Sequence, residues 1–326
     1  MALSLTNAPR IFEGPSTWTA ETLAPHDWQF SFSDECLSEI RDLAELFDRA
    51  PVPIETLVAG DLEMPACRRL LDDIKVALVD GPKLALIDRL PLGDLSENAM
   101  IRLYWVLMSL IARPVPQKMD DSFTFSVEDT GQKFRPGSGV RPATTNMEQN
   151  FHNDNSFNDK PPEFVSLLCV HPSADDGGLS RLVSFTSVYN ILRAQHPEVL
   201  ERLSQPFYFD RQFEHLKGDV TTIFQSVFRF DEALKVRLGH SLIRSGYAVK
   251  NISLDDAGAH ALNVLTRVVE DPSLWVEFKM TRGQIQIANN QETGHARTSF
   301  NDSPDKPKRR LERLWLRNAG APTYLG

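Results

Sequence analysis

The chain has 326 residues, with 35 Lys and Arg against 44 Asp and Glu, so its formal net charge is −9. Hydrophobic residues make up 41% and charged residues 24%, an ordinary globular composition that argues against long disorder. A net acidic chain has no global attraction for phosphate backbones or anionic lipids, which leaves a small-molecule substrate as the expected partner, with no nucleic acid and no membrane.

In chain order, the first third reads as helical. Ser33-Asp34 caps a predicted helix over residues 36–48, with Leu37, Ile40, Leu43 and Leu46 at helical spacing. A second runs over about 64–79 through Leu70, Leu71, Ile74 and Leu78, and a third opens at Ser96 and carries Ile101, Tyr104, Leu107 and Leu110. Residues 83–87 form a short buried-strand candidate between them, closed by the turn-prone Leu90-Pro91-Leu92-Gly93.

From about Ser122 the texture changes. Short runs rich in Val, Phe and Ile, at 123–127, 164–170, 180–184, 275–280, 284–288 and 311–316, alternate with Gly, Pro, Asn and Asp clusters. That pattern predicts an α+β chain: a jelly-roll core over residues 116–320 behind a mainly helical part at 1–115, in one domain spanning 1–326. Helices are expected at 187–203 and 255–270. Residues 205–244 carry mixed signals and are expected to form an insertion, with Phe207, Tyr208, Phe209 and Phe213 packing as core rather than as a lid.

Cys36, Cys67 and Cys169 are too few and too scattered for a disulfide framework or a Cys-rich zinc site, as in a reducing compartment. No secretory signal is visible, and the longest apolar run, residues 104–112, is far short of the roughly 20 a membrane span needs. The expected localisation is cytoplasmic.

The sharpest local feature is Asn150-Phe151-His152-Asn153-Asp154. On a strand, His-x-Asp places an imidazole and a carboxylate on one face, where they can share a cation. Added to a distant His, they make a facial triad that suits non-haem Fe(II) and leaves coordination positions open. Gly294-His295-Ala296-Arg297-Thr298-Ser299-Phe300, after the strand-like Gly283-Gln284-Ile285-Gln286-Ile287, offers that His. A basic cluster then follows: Lys306, Lys308, Arg309, Arg310, Arg313 and Arg317. Lys306 and Lys308 read as solvated. Arg309 and Arg313 flank an apolar strand pattern, so at least one guanidinium points inward and needs an anion.

Together these motifs resemble the Fe(II)/2-oxoglutarate-dependent dioxygenases of the taurine dioxygenase (TauD/TfdA) and clavaminate synthase-like superfamily. The resemblance covers about residues 84–317 and includes Gly177-Gly178-Leu179-Ser180. It implies the double-stranded β-helix form of the jelly roll, with His152, Asp154 and His295 as iron ligands, 2-oxoglutarate as cosubstrate and O2 as oxidant. Arg309, which is 309 − 295 = 14 residues after the distal His, matches the position that binds 2-oxoglutarate, with Arg310 its near competitor. Ser180 matches the hydroxyl that helps hold the same carboxylate. An intact Asp154 sets this chain apart from the halogenases of the group. The activity implied is oxidation of an amino-acid-derived or natural-product small molecule, by hydroxylation, desaturation or cyclisation, with release of succinate and CO2.

Substrate contacts are expected from Glu148, Asn146 and Gln149 ahead of the first ligand, and from Arg313. Arg297 reads as paired with a carboxylate, Gln117 as a loop residue, and His171, His215 and His240 as structural. Asn289 and Asn290 are expected to satisfy loop backbone near the metal. The competing readings are a zinc-dependent hydrolase with the same three ligands, and a non-enzymatic jelly-roll binding protein.

Overall fold

Three long helices open the fold, and two of them start on a serine. The computed structural model describes residues 11–50, 52–91, 95–133 and 140–326. Helix α1 (Pro25–Trp28) is a single turn. Ser33 then caps α2 (Asp34–Arg49) and Ser96 caps α4 (Glu97–Ile111), each Oγ accepting from the backbone N–H three residues on, at 3.2 and 3.1 Å. Between them α3 (Pro65–Val79) has proline at its first position, where no helical N–H is required.

Helices α2 and α3 bury one stripe each, through Ile40, Leu43 and Phe47 and through Leu71, Ile74 and Leu78. Helix α4 is apolar almost all round, with Met100, Leu103, Val106, Leu107 and Met108 inaccessible to solvent, so it lies inside the protein. Each such side chain contributes roughly 1.5–3 kcal/mol by leaving water.

The cysteines correct the sequence reading. Cys36 and Cys67 sit in the first turns of α2 and α3 and are paired as a disulfide, their Cα atoms 4.9 Å apart. The Glu39 carboxylate accepts from Ala66 N and Cys67 N at 2.8 and 2.9 Å, which brings the two helix starts together. A separation of 31 residues hides this, because a whole helix and a loop intervene.

Two sheets form the β part. In the larger, β1 (Gln29–Phe30), β2 (Leu84–Ile87), β13 (Ile285–Asn289), β6 (Phe164–His171), β15 (Arg310–Leu316) and β3 (Pro114–Val115) lie in that order, and β4 (Phe125–Glu128) also pairs with β15. The smaller has the order β12 (Trp275–Phe278), β7 (Ser180–Ser184), β14 (Thr293–Arg297), β5 (Gln149–His152). All these pairings are antiparallel except β1 with β2. Leu182 of the small sheet packs with Leu84, Leu86 and Ala288 of the large one, so the sheets share a core.

Residues 187–203 are not one helix. α5 (Phe185–Gln195) stops at His196, and Pro197 starts α6 (Pro197–Leu203), since proline cannot continue the preceding hydrogen-bond ladder. Beyond it lie two hairpins, β8 (Pro206–Asp210) with β9 (Thr222–Ser226) and β10 (Phe228–Phe230) with β11 (Leu234–Val236). Helix α7 (His240–Lys250), not foreseen from the sequence, follows them, and Asp255 caps α8 (Asp256–Val269). Phe207 and Phe209 are core, whereas Phe213 is 79% exposed on the β8–β9 loop. Among the described residues no helix is long and apolar enough to cross a membrane.

Candidate active site

Register brings the two histidines together. His152 and His295 are direct partners on the antiparallel strands β5 and β14, so both side chains leave the same face, with ring centroids 4.3 Å apart. Asp154 is not on the strand: β5 ends at His152, and the chain turns before the carboxylate returns to the histidines. The turn is held by Asn290, whose Oδ1 accepts from Asp154 N at 2.9 Å while its Nδ2 donates to Asp154 O at 2.9 Å. Asn289 likewise accepts from the backbone of Gln291 and Glu292, so both asparagines do serve the loop backbone.

Asp154 Oδ1 lies 3.7 Å from His152 Nε2 and 3.6 Å from His295 Nε2, and one donor atom from each residue falls within 4.8 Å of the others. His152 Nδ1 faces Asn150 O at 2.8 Å, an arrangement that places the ring proton there and leaves Nε2 free as a ligand. Burial, then the neighbouring His295, push His152 down to about 4, so it is neutral at pH 7. Burial alone would raise the Asp154 carboxyl, but Arg313 and the two histidines hold it well below the ordinary carboxylate range. Two imidazoles and one carboxylate that converge in this way are the donor set of a facial metal site.

Beside them opens a cavity of about 450 Å³. Glu148 and Gln149 line it, though Glu148 also reaches Arg181 at 3.5 Å. Asn146 does not line it; its carbonyl accepts from Phe300 N at 3.2 Å, which ties it to the loop after β14. Arg313 lines the cavity, yet its guanidinium is engaged: Nη1 is 2.9 Å from Asp154 Oδ2 and Nε donates to Gln117 Oε1 at 2.8 Å. Gln117 is the loop residue expected, and it is fully buried.

Arg309 immediately precedes β15. Only 3% exposed, it has no carboxylate ion-pair partner among the described residues, and its Nη1 lacks any hydrogen-bond partner there. Burial pushes it down to about 10, still cationic at neutral pH. Arg297 shares its surroundings, each guanidinium standing 4.9 Å from the Phe300 ring centroid. Arg297 donates to the carbonyls of Thr145 and Met147 rather than to a carboxylate.

Arg310 is the residue that the structure removes from this end. It pairs with Glu97 at 2.7 Å and Glu312 at 3.3 Å, and Glu97 also meets His171, because adjacent strand residues face opposite ways. Ser180 is directly opposite Arg297, on the face shared with His295, and is buried. The paired glycines before it make room. Gly178 has φ +69°, and a Cβ there would stand 2.8 Å from Arg309 Nε.

Arg141 was not anticipated. It lines the cavity, pairs with Glu214 of the β8–β9 loop and approaches the Phe125 ring at 5.9 Å, which Arg313 also faces at 4.7 Å. His240 and Arg244 of α7 complete the rim, and Arg244 Nε donates to His240 Nε2 at 2.9 Å.

An α+β fold with a His-Asp-His cluster open to a cavity is the arrangement of a non-haem metal enzyme. The chain matches the family described as "Taurine catabolism dioxygenase TauD, TfdA family" over residues 39–315. It belongs to that family, and is thereby an Fe(II)/2-oxoglutarate-dependent oxygenase, an enzyme whose cofactors are iron, 2-oxoglutarate and O2. The zinc hydrolase and the binding protein are set aside. It is 22% identical over 309 residues to FR-33289 synthase of Streptomyces rubellomurinus, covering 93% of this chain and 89% of that protein. Its fold is similar to asparagine oxygenase in complex with Fe(II), hydroxyasparagine and succinate: TM-score 0.69, 16% identity, 89% of this chain and 94% of that one. It is also similar to the non-heme iron oxygenase OrfP bound to Fe, succinate and (3S)-hydroxy-L-Arg, with TM-score 0.66, 15% identity, and 91% and 99% of the two chains.

Proposed function

We propose that the enzyme hydroxylates an amino-acid-derived or natural-product small molecule, with 2-oxoglutarate leaving as succinate and CO2, and that its two facing sheets form a double-stranded β-helix. The observation that carries this reading is the pairing of two sites in one barrel: three ligating donors at the cavity floor, and a buried Arg309 with no carboxylate of its own. Names of similar proteins that act on asparagine and arginine support the substrate class.

His152, Asp154 and His295 would hold Fe(II), which with 2-oxoglutarate supplies the oxidising power of O2 at that point. Arg309, aided by Ser180, would hold the distal carboxylate of 2-oxoglutarate, because a rigid guanidinium fork suits a carboxylate at two points. Glu148 and Gln149 would orient the substrate at the mouth. Of the two arginines that line the cavity, Arg313 is engaged by Asp154 and Gln117 and Arg141 by Glu214. The apolar wall, buried Val165 and Trp315 with the partly buried Leu167, excludes water from the reacting carbon.

An anaerobic titration of the apoprotein with Fe(II) and then 2-oxoglutarate tests this. The expected result is a visible metal-to-ligand charge-transfer band that is lost in Arg309→Ala. Iron uptake without that band in the wild type would overturn it.

A further inference from the structure

Nothing in the metal-binding motif itself accounts for the second oxygen of Asp154. Oδ1 faces both histidines, while Oδ2 is ion-paired with Arg313 Nη1 at 2.9 Å and accepts a hydrogen bond from the indole Nε1 of Trp315 at 2.7 Å. Trp315 is 3% exposed. Its ring is fixed from two sides: Tyr324 stacks on it with centroids 6.3 Å apart and an interplanar angle of 26°, and the Arg313 guanidinium stands 4.9 Å from its centroid. Its backbone is paired to Val165 on one side and Val115 on the other. The indole therefore has one accessible hydrogen-bond acceptor and no freedom to leave it.

We infer that Trp315 is a positioning residue for the metal centre: its N–H pins Asp154 Oδ2 so that the carboxylate binds iron through Oδ1 alone. A carboxylate that swings freely can present both oxygens to a cation and fill two coordination positions. In a facial triad the positions opposite the protein ligands must stay open for cosubstrate and oxygen. Holding Oδ2 with two donors on the side remote from the histidines prevents the swing, and presents a ligand already oriented before metal arrives. An indole suits this place better than a second cation. It donates one hydrogen bond in a fixed direction, accepts none, and adds no charge beside Arg313. Partners of this kind, behind the ligands, typically change metal affinity by about 10–100-fold.

The inference rests on the reading of Asp154 as an iron ligand, and the test separates the two. In Trp315→Phe the ring persists and only the N–H is lost. Co(II) serves as the probe, with affinity from titration and coordination from its visible spectrum, while unfolding of the metal-free protein is followed in parallel. The expected result is Co(II) affinity reduced by about tenfold or more, a changed visible spectrum, and a metal-free unfolding temperature close to that of the wild type. Equal affinity with an unchanged spectrum would overturn the inference, as would an affinity loss matched by collapse of the metal-free fold. Wild-type protein that bound no Co(II) would remove the iron-site reading itself. A second measurement needs no change at position 315. Of the five indole N–H signals given by the five tryptophans, the one that moves on Asp154→Ala should remain at low field when Zn(II) is added. Its return to a free-indole position on metal binding would show that the hydrogen bond does not survive in the loaded site.

Discussion

Asp154 and Arg313 form a buried ion pair between the two sheets, Oδ2 to Nη1 at 2.9 Å, joining the loop after β5 on one sheet to the middle of β15 on the other. The pair ties the metal site to the fold, and the two partners have unequal claims on it. Asp154→Ala should abolish Fe(II) binding. It also leaves the Arg313 cation buried without its anion, which typically costs about 3–5 kcal/mol. Metal content by mass spectrometry and urea unfolding of the apoprotein check both halves. Asp154→Gly should likewise lose activity, and a fully active Asp154→Gly enzyme would contradict the ligand assignment.

Arg309 and Arg310 are neighbours with opposite surroundings, one buried without a carboxylate and the other paired with Glu97 and Glu312. Arg309→Ala should weaken 2-oxoglutarate binding by roughly 10–100-fold, the range of a charge-assisted, two-point contact, with Fe(II) affinity little changed. Arg310→Ala should leave 2-oxoglutarate binding within about twofold, since its guanidinium is engaged by Glu97 and Glu312. Isothermal titration of both variants with iron present decides the assignment, and the reverse pattern would shift it by one residue.

Gly178 supports the same cation. Its φ of +69° disfavours any other residue, and the space a Cβ needs is taken by Arg309 Nε at 2.8 Å. Gly178→Ala should cost about 1–2 kcal/mol in stability for the left-handed backbone. It should also weaken 2-oxoglutarate binding, because Arg309 must move. An equally stable variant with unchanged cosubstrate affinity would show that the close approach is not required.

The β8–β9 loop is held over the cavity by one ion pair, Arg141 to Glu214, beside Gln212 and Phe213 with φ of 51° and 64°. Non-glycine residues in the left-handed region carry strain of about 1–2 kcal/mol each, so the loop depends on its tether. Glu214→Gln should speed tryptic cleavage after the exposed Lys217 several-fold while leaving Fe(II) and 2-oxoglutarate affinities unchanged. Timed digestion followed by mass spectrometry reads the result, and an unaltered cleavage rate would remove the tether.

Much of this was legible in the sequence because it depends on local rules. Ser33 and Ser96 cap the helices they were expected to open, α8 falls within the helix expected at 255–270, and β7 runs over Ser180–Ser184 as the sequence implied. The spacing of His152, Asp154 and His295 pointed to a shared site, and the structure brings the three together. What could not be read is what non-local packing decides. Cys36 meets Cys67 only because two helix starts are adjacent. Arg310 is held apart from Arg309 by partners remote in sequence, Glu97 above all, 213 residues away. Arg141 and Trp315 belong to the site through contacts with Glu214 and Asp154, 73 and 161 residues away in the chain.

Asp255 gives a pH-dependent prediction well away from the metal. It caps α8 by accepting from Gly258 N at 2.7 Å and pairs with Arg202 of α6 at 2.7 Å. The Arg202 hydrogen bond, reinforced by the helix N–H, holds its carboxyl down at about 2. The group is depressed in the folded state against roughly 3.9 when unfolded. Its contribution is therefore complete above about pH 4 and is lost as the pH falls toward 2, where protonation no longer distinguishes the two states. The carboxylate is half exposed, so the pair itself contributes at most about 1 kcal/mol and the cap about 1 kcal/mol more. Asp255→Ala should thus lower stability by about 1–2 kcal/mol in urea at pH 7, a difference that stays level down to about pH 5 and narrows below pH 4. A gap that persisted unchanged to pH 3 would mean that the residue acts through packing rather than through its charge.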